Sequence, residues 1–533
     1  MSFVCFLTWP QCLYLATRVA SHDDGFFGAW RVAWIAHALR TDPSQLYDAN
    51  IFYPDRGTLA NSDAVILEGA LGSPLLWAGA SPVVVYNLLL LGGIVASGLG
   101  MFLLVRYLTG DSLAGLIAAA VFMMVPYRVE HFEHLELQWT CFIPLSFWAI
   151  HKAIDESSFV HGLLAGVFVW LQLIACVYYG VFLGAVVFVL SGLLFIKARN
   201  SNRPVKALVG LMAGGLIAIL LAIVSLRPYF ANASRLGTRS FTDIGAHSAV
   251  FSSYLSAPAE NWLWGWTSPM FRGDELHLFP GVIAGLLGLA GLALAPRRTA
   301  IIYGIILLLG VELSLGLNGR LYPFLLDHVS LLQGLRAPAR ASIVAFAALA
   351  VLAGFGMRAI RQKQLEGRRL MTASVVVGAL CIEFGSAPMR LQPAPQTPPL
   401  YRFLAQLPQG AVAELPMPPP FSAFAYNTLY MFNSIAHWYP LVNGYSGFIP
   451  EHYQQTMTVM SGFPDSASLK RLREIGARYV IVHSHGYEPE KYDAIIMRLR
   501  TRRDVVPFGR YQDVEGGHAE LFELAAHERL DTE

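Results

Sequence analysis

The stretch PVVVYNLLLLGGIVASGLGMFLLV, residues 82–105, decides the fold class, because no charged side chain occurs over 24 consecutive positions. A helix of about 20 apolar residues crosses a hydrocarbon core of roughly 30 Å, so this stretch predicts a transmembrane helix. Other segments have the same character, which predicts an α-helical polytopic membrane protein with about 11 transmembrane helices. The ten other predicted spans are 1–17, 111–127, 138–152, 159–176, 179–197, 205–226, 279–296, 299–317, 340–358 and 370–387.

The composition agrees with a membrane protein. The 533 residues are 55% hydrophobic and only 14% charged, whereas soluble domains carry about 25% charged residues. A net charge of +2 does not favour a nucleic-acid partner. All five cysteines lie in apolar segments, which predicts packing cysteines and no disulfide framework or metal knuckle. The apolar N-terminus lacks a basic region and a convincing cleavage site, so we expect a first membrane helix rather than a signal peptide.

The basic segments between the predicted spans set the orientation. KARNSNRPVK (197–206), PRR (296–298) and RAIRQKQLEGRR (358–369) are rich in lysine and arginine, which marks the cytoplasmic side. The N-terminus is then cytoplasmic, and every long loop lies on the opposite face. Two domains are predicted: a transmembrane module over 1–388 that includes a long first external loop at 18–81, and an extracytoplasmic domain over 389–533.

The region from 389 to 533 is typical of a small α/β domain. It follows a proline-rich segment, and AVAEL (411–415) and ARYVIVH (477–483) are predicted to be buried strands. DSASLKRLREIG (465–476) has the start and stop signals of a helix. Asp465, His483 and His485 have no spacing typical of a catalytic site. AHWYPLVNGYSGFIP (436–450) is aromatic enough to bind a sugar acceptor, or to form a face that packs on the membrane module.

Three clusters on the predicted external face carry candidate chemistry. In the first, Phe26, Trp30, Trp34 and Ala38 recur at helical spacing, which predicts a helix in the membrane interface. Asp23 and Asp24 directly precede it; they either cap that helix or supply a reactive carboxylate.

The second cluster, between the third and fourth predicted spans, is rich in acids and histidines. Its members are Tyr127, Arg128, Glu130, His131, Glu133, His134, Glu136 and Gln138. These groups can transfer protons or bind a divalent metal, although no specific metal motif such as HExxH is present, so metal binding is the minor alternative.

The third cluster is GLRAPAR, residues 334–340, which contains Arg336 and Arg340. These arginines either contact lipid headgroups or bind a phosphate, because a guanidinium binds phosphate bidentately. Glu312 lies inside a predicted span, where an acid is costly and indicates a partner or a polar cavity.

DDGFFGAWRVAWIAHAL, DANIFYPDRGTLANSD, PYRVEHFEHLELQW, GLRAPAR and HWYPLVNGYSGFIP resemble stretches in a group of bacterial GT-C-type proteins. GT-C enzymes are membrane glycosyltransferases that use polyprenyl-phosphate sugars, and they include the protein O-mannosyltransferases and the lipid A aminoarabinose transferases. The resemblance covers nearly the whole chain. It implies a GT-C-like fold in the bacterial cytoplasmic membrane, with the C-terminal domain outside.

The resemblance also implies roles for particular residues. The catalytic acid falls on Asp24, with Asp23 as its rival, and a second acid falls on Asp63. The candidate substrate-binding residues are Glu133, His134, Tyr178, Tyr179, Arg336 and Arg340. The implied reaction is a single displacement with inversion, in which an aspartate takes the acceptor proton and an arginine stabilises the departing lipid phosphate. A polyprenyl-phosphate-linked sugar is the implied donor and the acceptor is a glycan, lipid or protein; a divalent metal is a possible cofactor.

Two other functions fit the sequence. A transporter or flippase of lipid-linked sugars would favour paired, broken helices in two related halves, and no such symmetry is visible. A non-catalytic envelope-assembly protein on the same scaffold is disfavoured by the joint presence of Asp24, Asp63 and Arg336. No glycine-rich nucleotide-binding loop occurs in the predicted cytoplasmic segments, which disfavours a nucleotide-sugar donor.

Overall fold

The structure, a computed structural model, describes residues 2–198, 204–271, 274–364, 366–394, 396–417 and 424–525. The basic segment at 197–206 therefore lies largely outside the described residues. The chain forms two compact units. Unit 1 comprises Met1–Tyr14, Asn87–Ala233 and Gly237–Arg390, and unit 2 comprises Leu15–Tyr86, Ser234–Leu236 and Leu391–Glu533. The first external loop, which the sequence assigned to the transmembrane module, thus belongs to the same unit as the C-terminal region.

Most described residues are helical. In chain order the α-helices are α1 Ser2–Leu7, α2 Asp24–Thr41, α3 Ile66–Trp77, α4 Pro82–Thr109, α5 Ser112–Met124, α6 Pro126–Glu130, α7 Leu135–Gln138, α8 Phe142–Asp155, α9 Phe159–Ala175, α10 Val177–Ala198, α11 Pro204–Leu236, α12 Phe241–Ala246, α13 Val282–Leu294, α14 Arg297–Ser314, α15 Leu321–His328, α16 Ser342–Gln362, α17 Glu366–Phe384, α18 Pro399–Leu404, α19 Phe424–Ser434, α20 Glu451–Met460, α21 Ser466–Ile475 and α22 Pro489–Arg500.

Five helical segments of the described chain are long and apolar enough to span a membrane: Pro82–Thr109, Ser112–Glu130, Val177–Ile196, Val205–Leu236 and Pro338–Gln362. The apolar helices α9 and α13 are shorter. Helices α8, α14 and α17 occupy further positions where spans were predicted. The chain is therefore a helical membrane protein.

The predicted N-terminal span is wrong. Helix α1 ends at Leu7, and the chain continues through a short 3-10 turn at Gln11–Leu13. Pro10 lies between them, and proline cannot donate the backbone hydrogen bond that a continuing helix needs. A helix of six residues is far too short to cross a bilayer.

Glycines let the helices of unit 1 approach closely. A Cβ atom on Gly166 of α9 would lie 1.9 Å from the carbonyl oxygen of Gly214 on α11, and one on Gly162 would lie 2.8 Å from Gly210 Cα. Each helix therefore contributes a pair of glycines four positions apart, the spacing that allows close backbone contact between membrane helices. Every residue of α16 from Ser342 to Met357 except Leu349 is buried, which agrees with a stretch that is apolar on all sides.

Unit 2 contains a four-stranded sheet in the order β3-β4-β6-β5. Strand β3 pairs in parallel with β4, while β4 with β6 and β6 with β5 are antiparallel. A separate two-stranded pair, β1 with β2, joins the first loop to the chain after 390. The strands are β1 Arg18–Val19, β2 Gln392–Pro393, β3 Ala411–Leu415, β4 Ala477–His483, β5 Val505–Gln512 and β6 His518–Leu524.

The local sequence signals of unit 2 agree with its elements. The two predicted strands form β3 and β4, which are almost wholly buried. Helix α21 begins where Asp465 accepts a hydrogen bond from the Ser468 amide at 2.8 Å. It ends at Gly476, whose φ of 89° is a conformation that favours glycine.

Helix α2 is a core helix of unit 2 rather than an amphipathic surface helix. Residues on all of its sides are buried from Gly25 to Ala36, and Trp30 is fully buried. Its Arg31 is 1% exposed and donates to the backbone oxygen of Asp63 at 2.6 Å. The helical spacing of the aromatic residues correctly predicted a helix. It did not predict that the helix packs against other parts of unit 2 on every side, which excludes a position flat in the membrane interface.

Candidate functional site

The acid pair lies at the N-terminus of α2, in unit 2. Asp23 is the residue before the helix, and Asp24 lies in its first turn, where the helix dipole favours a negative charge. Burial and the neighbouring charge of Asp24 raise the pKa of Asp23 above its ordinary value. The Oδ1 atom of Asp23 is buried without a hydrogen-bond partner. The Asp23 side chain makes no capping hydrogen bond to α2, and a buried carboxyl with a raised pKa makes Asp23 a candidate site residue.

Tyr445, from the C-terminal part of unit 2, approaches Asp24. Its hydroxyl lies 3.5 Å from Asp24 Oδ1, and its ring packs edge-on against Phe27 with ring centres 5.1 Å apart. The aromatic segment 436–450 therefore reaches the acid pair. Asp63, the second acid that the resemblance implies, is buried in the same unit at 8% exposure.

The predicted arginines occupy different environments in unit 1. The Arg340 guanidinium donates to Glu275 Oε1 from Nε at 2.8 Å and from Nη2 at 2.5 Å, and it lies 4.7 Å from the centre of the Tyr178 ring. Arg340 is thus engaged by a buried acid. Burial alone would raise the pKa of Glu275, but the charge and hydrogen bonds of Arg340 hold it well below its ordinary value.

Arg336 is more accessible than Arg340. Its backbone amide donates to the Tyr178 hydroxyl at 2.9 Å, and its side chain is half-buried. Arg239 lies close by, since burial and the positive charges of Arg336 and Arg340 act together to lower the pKa of Arg239. Three guanidinium groups therefore lie near Tyr178. Glu275 balances the charge of Arg340, and Asp243, with Oδ2 3.7 Å from Arg239 Nη1, balances that of Arg239. The remaining positive charge suits an anionic ligand such as a phosphate.

Several members of the acid–histidine cluster have partners inside unit 1. Arg128 and Gln138 fix the loop through backbone contacts, with Gln138 Nε2 donating to the His131 oxygen at 2.7 Å. Glu130 Oε1 lies 2.9 Å from His277 Nδ1, which makes a buried acid–histidine pair. Burial lowers the pKa of His131 to about 3, so this imidazole is neutral at physiological pH.

The other predicted residues of unit 1 differ in burial and in their partners. Glu133 and His134 are half-buried, while Glu136 is buried. Tyr179 is buried with its hydroxyl 3.4 Å from that of Tyr127. Glu312 accepts from the Leu321 amide at 2.9 Å, so it caps the following helix α15.

Sequence reasoning missed Glu275, His277 and Arg239. All three come from the long segment between α11 and α13, where no motif or regular spacing distinguishes them. Their partners are 65 and 147 positions away in the pairs Arg340–Glu275 and His277–Glu130. The available signal was an acid and a histidine two positions apart, Glu275 and His277, in a segment rich in aromatic residues.

One group in unit 2 has the residue types of a metal site. His483, His485 and Asp513 bring three donor atoms within 4.8 Å of one another. However, His483 contacts carboxylates through both ring nitrogens, Asp513 at 2.7 Å and Glu414 at 2.9 Å. Burial opposes its protonation, but these hydrogen bonds raise the pKa of His483 to about 9. The arrangement is that of a buried imidazolium between two carboxylates, so the ring offers no lone pair to a metal.

Comparison with known proteins gives structural likenesses but no match in sequence. No protein-family model matches the chain, and a search of curated proteins gives no match. The structure is similar to that of the arabinofuranosyltransferase AftD from Mycobacteria, with a TM-score of 0.60 and 15% sequence identity. The alignment covers 98% of this chain and 39% of the AftD chain, so this chain spans well under half the length of that protein. The protein therefore shares its fold with the part of AftD that the alignment covers.

Proposed function

We propose that this protein is a GT-C-type glycosyltransferase that transfers a sugar from a polyprenyl-phosphate donor to an envelope acceptor on the extracytoplasmic face. The observation that supports this most directly is the fold likeness to a membrane arabinofuranosyltransferase over 98% of the chain. The acid pair at the start of α2 adds the carboxylate that such a transfer needs. The arginines around Tyr178 add the positive charge that a phosphate leaving group needs.

Asp24 is the proposed general base and Arg336 the proposed phosphate ligand. In the reaction the acceptor hydroxyl oxygen forms a bond to the anomeric carbon while the bond from that carbon to the lipid phosphate oxygen breaks. The hydroxyl proton passes to the Asp24 carboxylate. The phosphate leaves with the bonding electron pair as an anion held by Arg336, and a single displacement inverts the anomeric configuration.

Asp23 and Asp63 have supporting roles in this proposal. Asp23 places a second carboxyl beside Asp24, and Asp63 is tied to α2 through the Arg31 contact with its backbone. The Glu275 carboxylate positions Arg340, so we assign phosphate contact to Arg336 first. Glu133, His134, Tyr178 and Tyr179 are proposed to contact the substrates.

Membrane vesicles from cells that express the chain test the proposal. They are given radiolabelled polyprenyl-phosphate arabinofuranose, mannose or glucose in separate reactions, and label is followed from the lipid extract into glycan. We expect transfer from one donor, and a fall of about 10²- to 10⁴-fold for Asp24→Asn, as loss of a general base predicts. The transfer activity of Asp23→Asn should fall less than that of Asp24→Asn.

The exposed Asp493→Asn variant in α22 is the control for charge removal in the same unit. Full transfer activity of Asp24→Asn would show that Asp24 is not the general base. Transfer from none of the donors, together with unchanged lipid-linked sugars in cells lacking the gene, would contradict a transferase.

A further inference from the structure

A cleft in unit 2 has the features of a carbohydrate-binding site. It encloses 390 Å³ between the C-terminal half of α2, the loop that follows it and the turn after α19. That volume lies in the range of roughly 300–1,000 Å³ found for small-molecule sites. The acid pair is at the opposite end of α2, so the cleft is separate from Asp23 and Asp24.

An aromatic surface forms the floor of this cleft. The Trp438 ring stacks on His37 with ring centres 4.5 Å apart, and it meets Trp34 edge-on at 5.6 Å. Burial lowers the pKa of His37, which keeps the imidazole neutral for stacking. The C–H face of a sugar ring carries slight positive charge and packs on the negative face of an aromatic ring.

Hydrogen-bonding groups surround the aromatic floor. Three carboxylates, Asp42, Asp48 and Asp55, line the cleft beside a single guanidinium, Arg56. No lysine belongs to the cleft lining among the described residues. Carboxylates accept hydrogen bonds from sugar hydroxyls, whereas an excess of negative charge repels phosphates and other anions. The ligand that fits this chemistry is an uncharged glycan.

The walls of the cleft are held in place before any ligand binds. Asn50 donates to Ser434 Oγ and to the Tyr439 oxygen, each at 3.1 Å, and the Tyr53 amide donates to the Leu441 oxygen at 2.8 Å. These bonds join the loop after α2 to the turn that carries Trp438. A pre-formed site loses less freedom on binding and so binds more tightly.

The backbone of Trp438 is also unusual. Its φ is 56°, in the left-handed region that bulky residues avoid, and its amide donates to the Ser434 oxygen at 2.7 Å. The side chain nevertheless remains half-buried rather than packed into the core. An unfavourable conformation that presents a partly exposed tryptophan is more typical of ligand sites than of packing.

We propose that this cleft binds the glycan chain of the acceptor at a distance from the reacting sugar. His37 and Asp24 are on one helix, thirteen positions apart, which separates them by roughly 20 Å at a rise of about 1.5 Å per residue. Several sugar units are needed to reach from one to the other. The acceptor is therefore an oligosaccharide or polysaccharide rather than a single sugar or a short lipid headgroup; this statement rests on the proposed transferase function.

Direct binding tests the cleft without any donor. Full-length protein in nanodiscs is titrated with hexasaccharides of arabinofuranose, mannose and glucose, each beside its monosaccharide, by biolayer interferometry. We expect one hexasaccharide to bind at least tenfold more tightly than its monosaccharide. Trp438→Ala and His37→Ala should each weaken that binding by about tenfold or more, since each removes a stacking surface.

The exposed Trp266→Ala variant in unit 1 is the control, and Asp24→Asn should bind the glycan like the wild type. Asp24→Asn then tests transfer without changing the cleft, whereas Trp438→Ala weakens glycan binding in an assay that contains no donor, so the two proposals fail separately. Equal binding by Trp438→Ala and wild type, with matching thermal unfolding curves, would overturn the cleft proposal. Binding of none of the three hexasaccharides would overturn it too.

Discussion

The Arg340 guanidinium is fixed by Glu275, which accepts from both Nε and Nη2 with one carboxylate oxygen, at 2.8 and 2.5 Å. Both side chains are at most 9% exposed. Removing one partner of a buried pair leaves an uncompensated charge, which costs about 3–5 kcal/mol. We expect Glu275→Gln to lower the thermal unfolding temperature in detergent by an amount consistent with that loss.

The exposed Glu260→Gln variant, in the same inter-helix segment, should unfold like the wild type. The double variant Glu275→Met with Arg340→Met should recover most of the stability, because no unpaired charge remains. An unfolding temperature for Glu275→Gln equal to that of the wild type would show that the pair contributes little.

The glycine contact between α9 and α11 gives a second prediction. A methyl group on Gly166 would lie 1.9 Å from the Gly214 carbonyl oxygen, a backbone atom that cannot move without shifting the helix. We expect Gly166→Ala to destabilise the fold by about 1–3 kcal/mol, as overpacking does. The measurement is the fraction of monodisperse protein after heating in detergent.

Gly215, one position from Gly214, has open space where its Cβ would be. Gly215→Ala should therefore match the wild type, and it controls for the loss of glycine from the same helix. If Gly166→Ala and Gly215→Ala leave the same fraction of monodisperse protein after heating, α9 and α11 can move apart at little cost in stability.

The sequence predicts features that depend on neighbouring positions. Apolar runs long enough for a bilayer predicted the spans such as α4, and the strand patterns predicted β3 and β4. The pairing of Arg340 with Glu275 could not be predicted, since it depends on how a long irregular segment packs against α16. The division into units could not be predicted either, because the β1–β2 pairing joins positions more than 370 residues apart.

The position of His483 between two carboxylates depends on the register of the sheet. Glu414 on β3 and His483 on β4 become neighbours only when the strands pair with Glu414 opposite Ile481. Asp513 follows β5 and comes from a third segment. No local pattern marks this arrangement, which explains why His483 had no readable role.

His483 gives a prediction on pH. Its pKa is raised from an ordinary value of 6.5 to about 9, so protonation stabilises the folded state. The stabilisation is complete below the unfolded pKa of about 6.5 and is lost as pH rises through about 9. We expect the stability difference between wild type and His483→Gln to shrink by about 2–3 kcal/mol between pH 6 and pH 10.

Thermal unfolding of the full-length chain across that pH range measures this difference. The exposed His518→Gln variant should follow the wild type at every pH. A difference that stays constant from pH 6 to pH 10 would show that the imidazole is not charged in the folded protein.

Arg336 should control donor binding. Its side chain is half-buried beside Tyr178, whereas the Arg340 guanidinium is engaged by Glu275. We expect Arg336→Gln to lower kcat/KM for the lipid-phosphate donor by about 100-fold, since a charge-assisted contact to the leaving phosphate is lost. Arg336→Lys should lower kcat/KM for the donor less than Arg336→Gln does, because an ammonium group keeps the positive charge but lacks the planar fork of a guanidinium.

Initial rates over a range of donor concentrations give kcat and KM for each variant. Arg320→Gln, which removes an exposed arginine at the start of α15, controls for the loss of one positive charge. If Arg336→Gln changes only the KM for the acceptor and leaves kcat/KM for the donor unchanged, the Arg336 guanidinium does not bind the donor phosphate. Equal activity of Arg336→Lys and the wild type would mean that a positive charge at this position is enough and that the shape of the guanidinium does not matter.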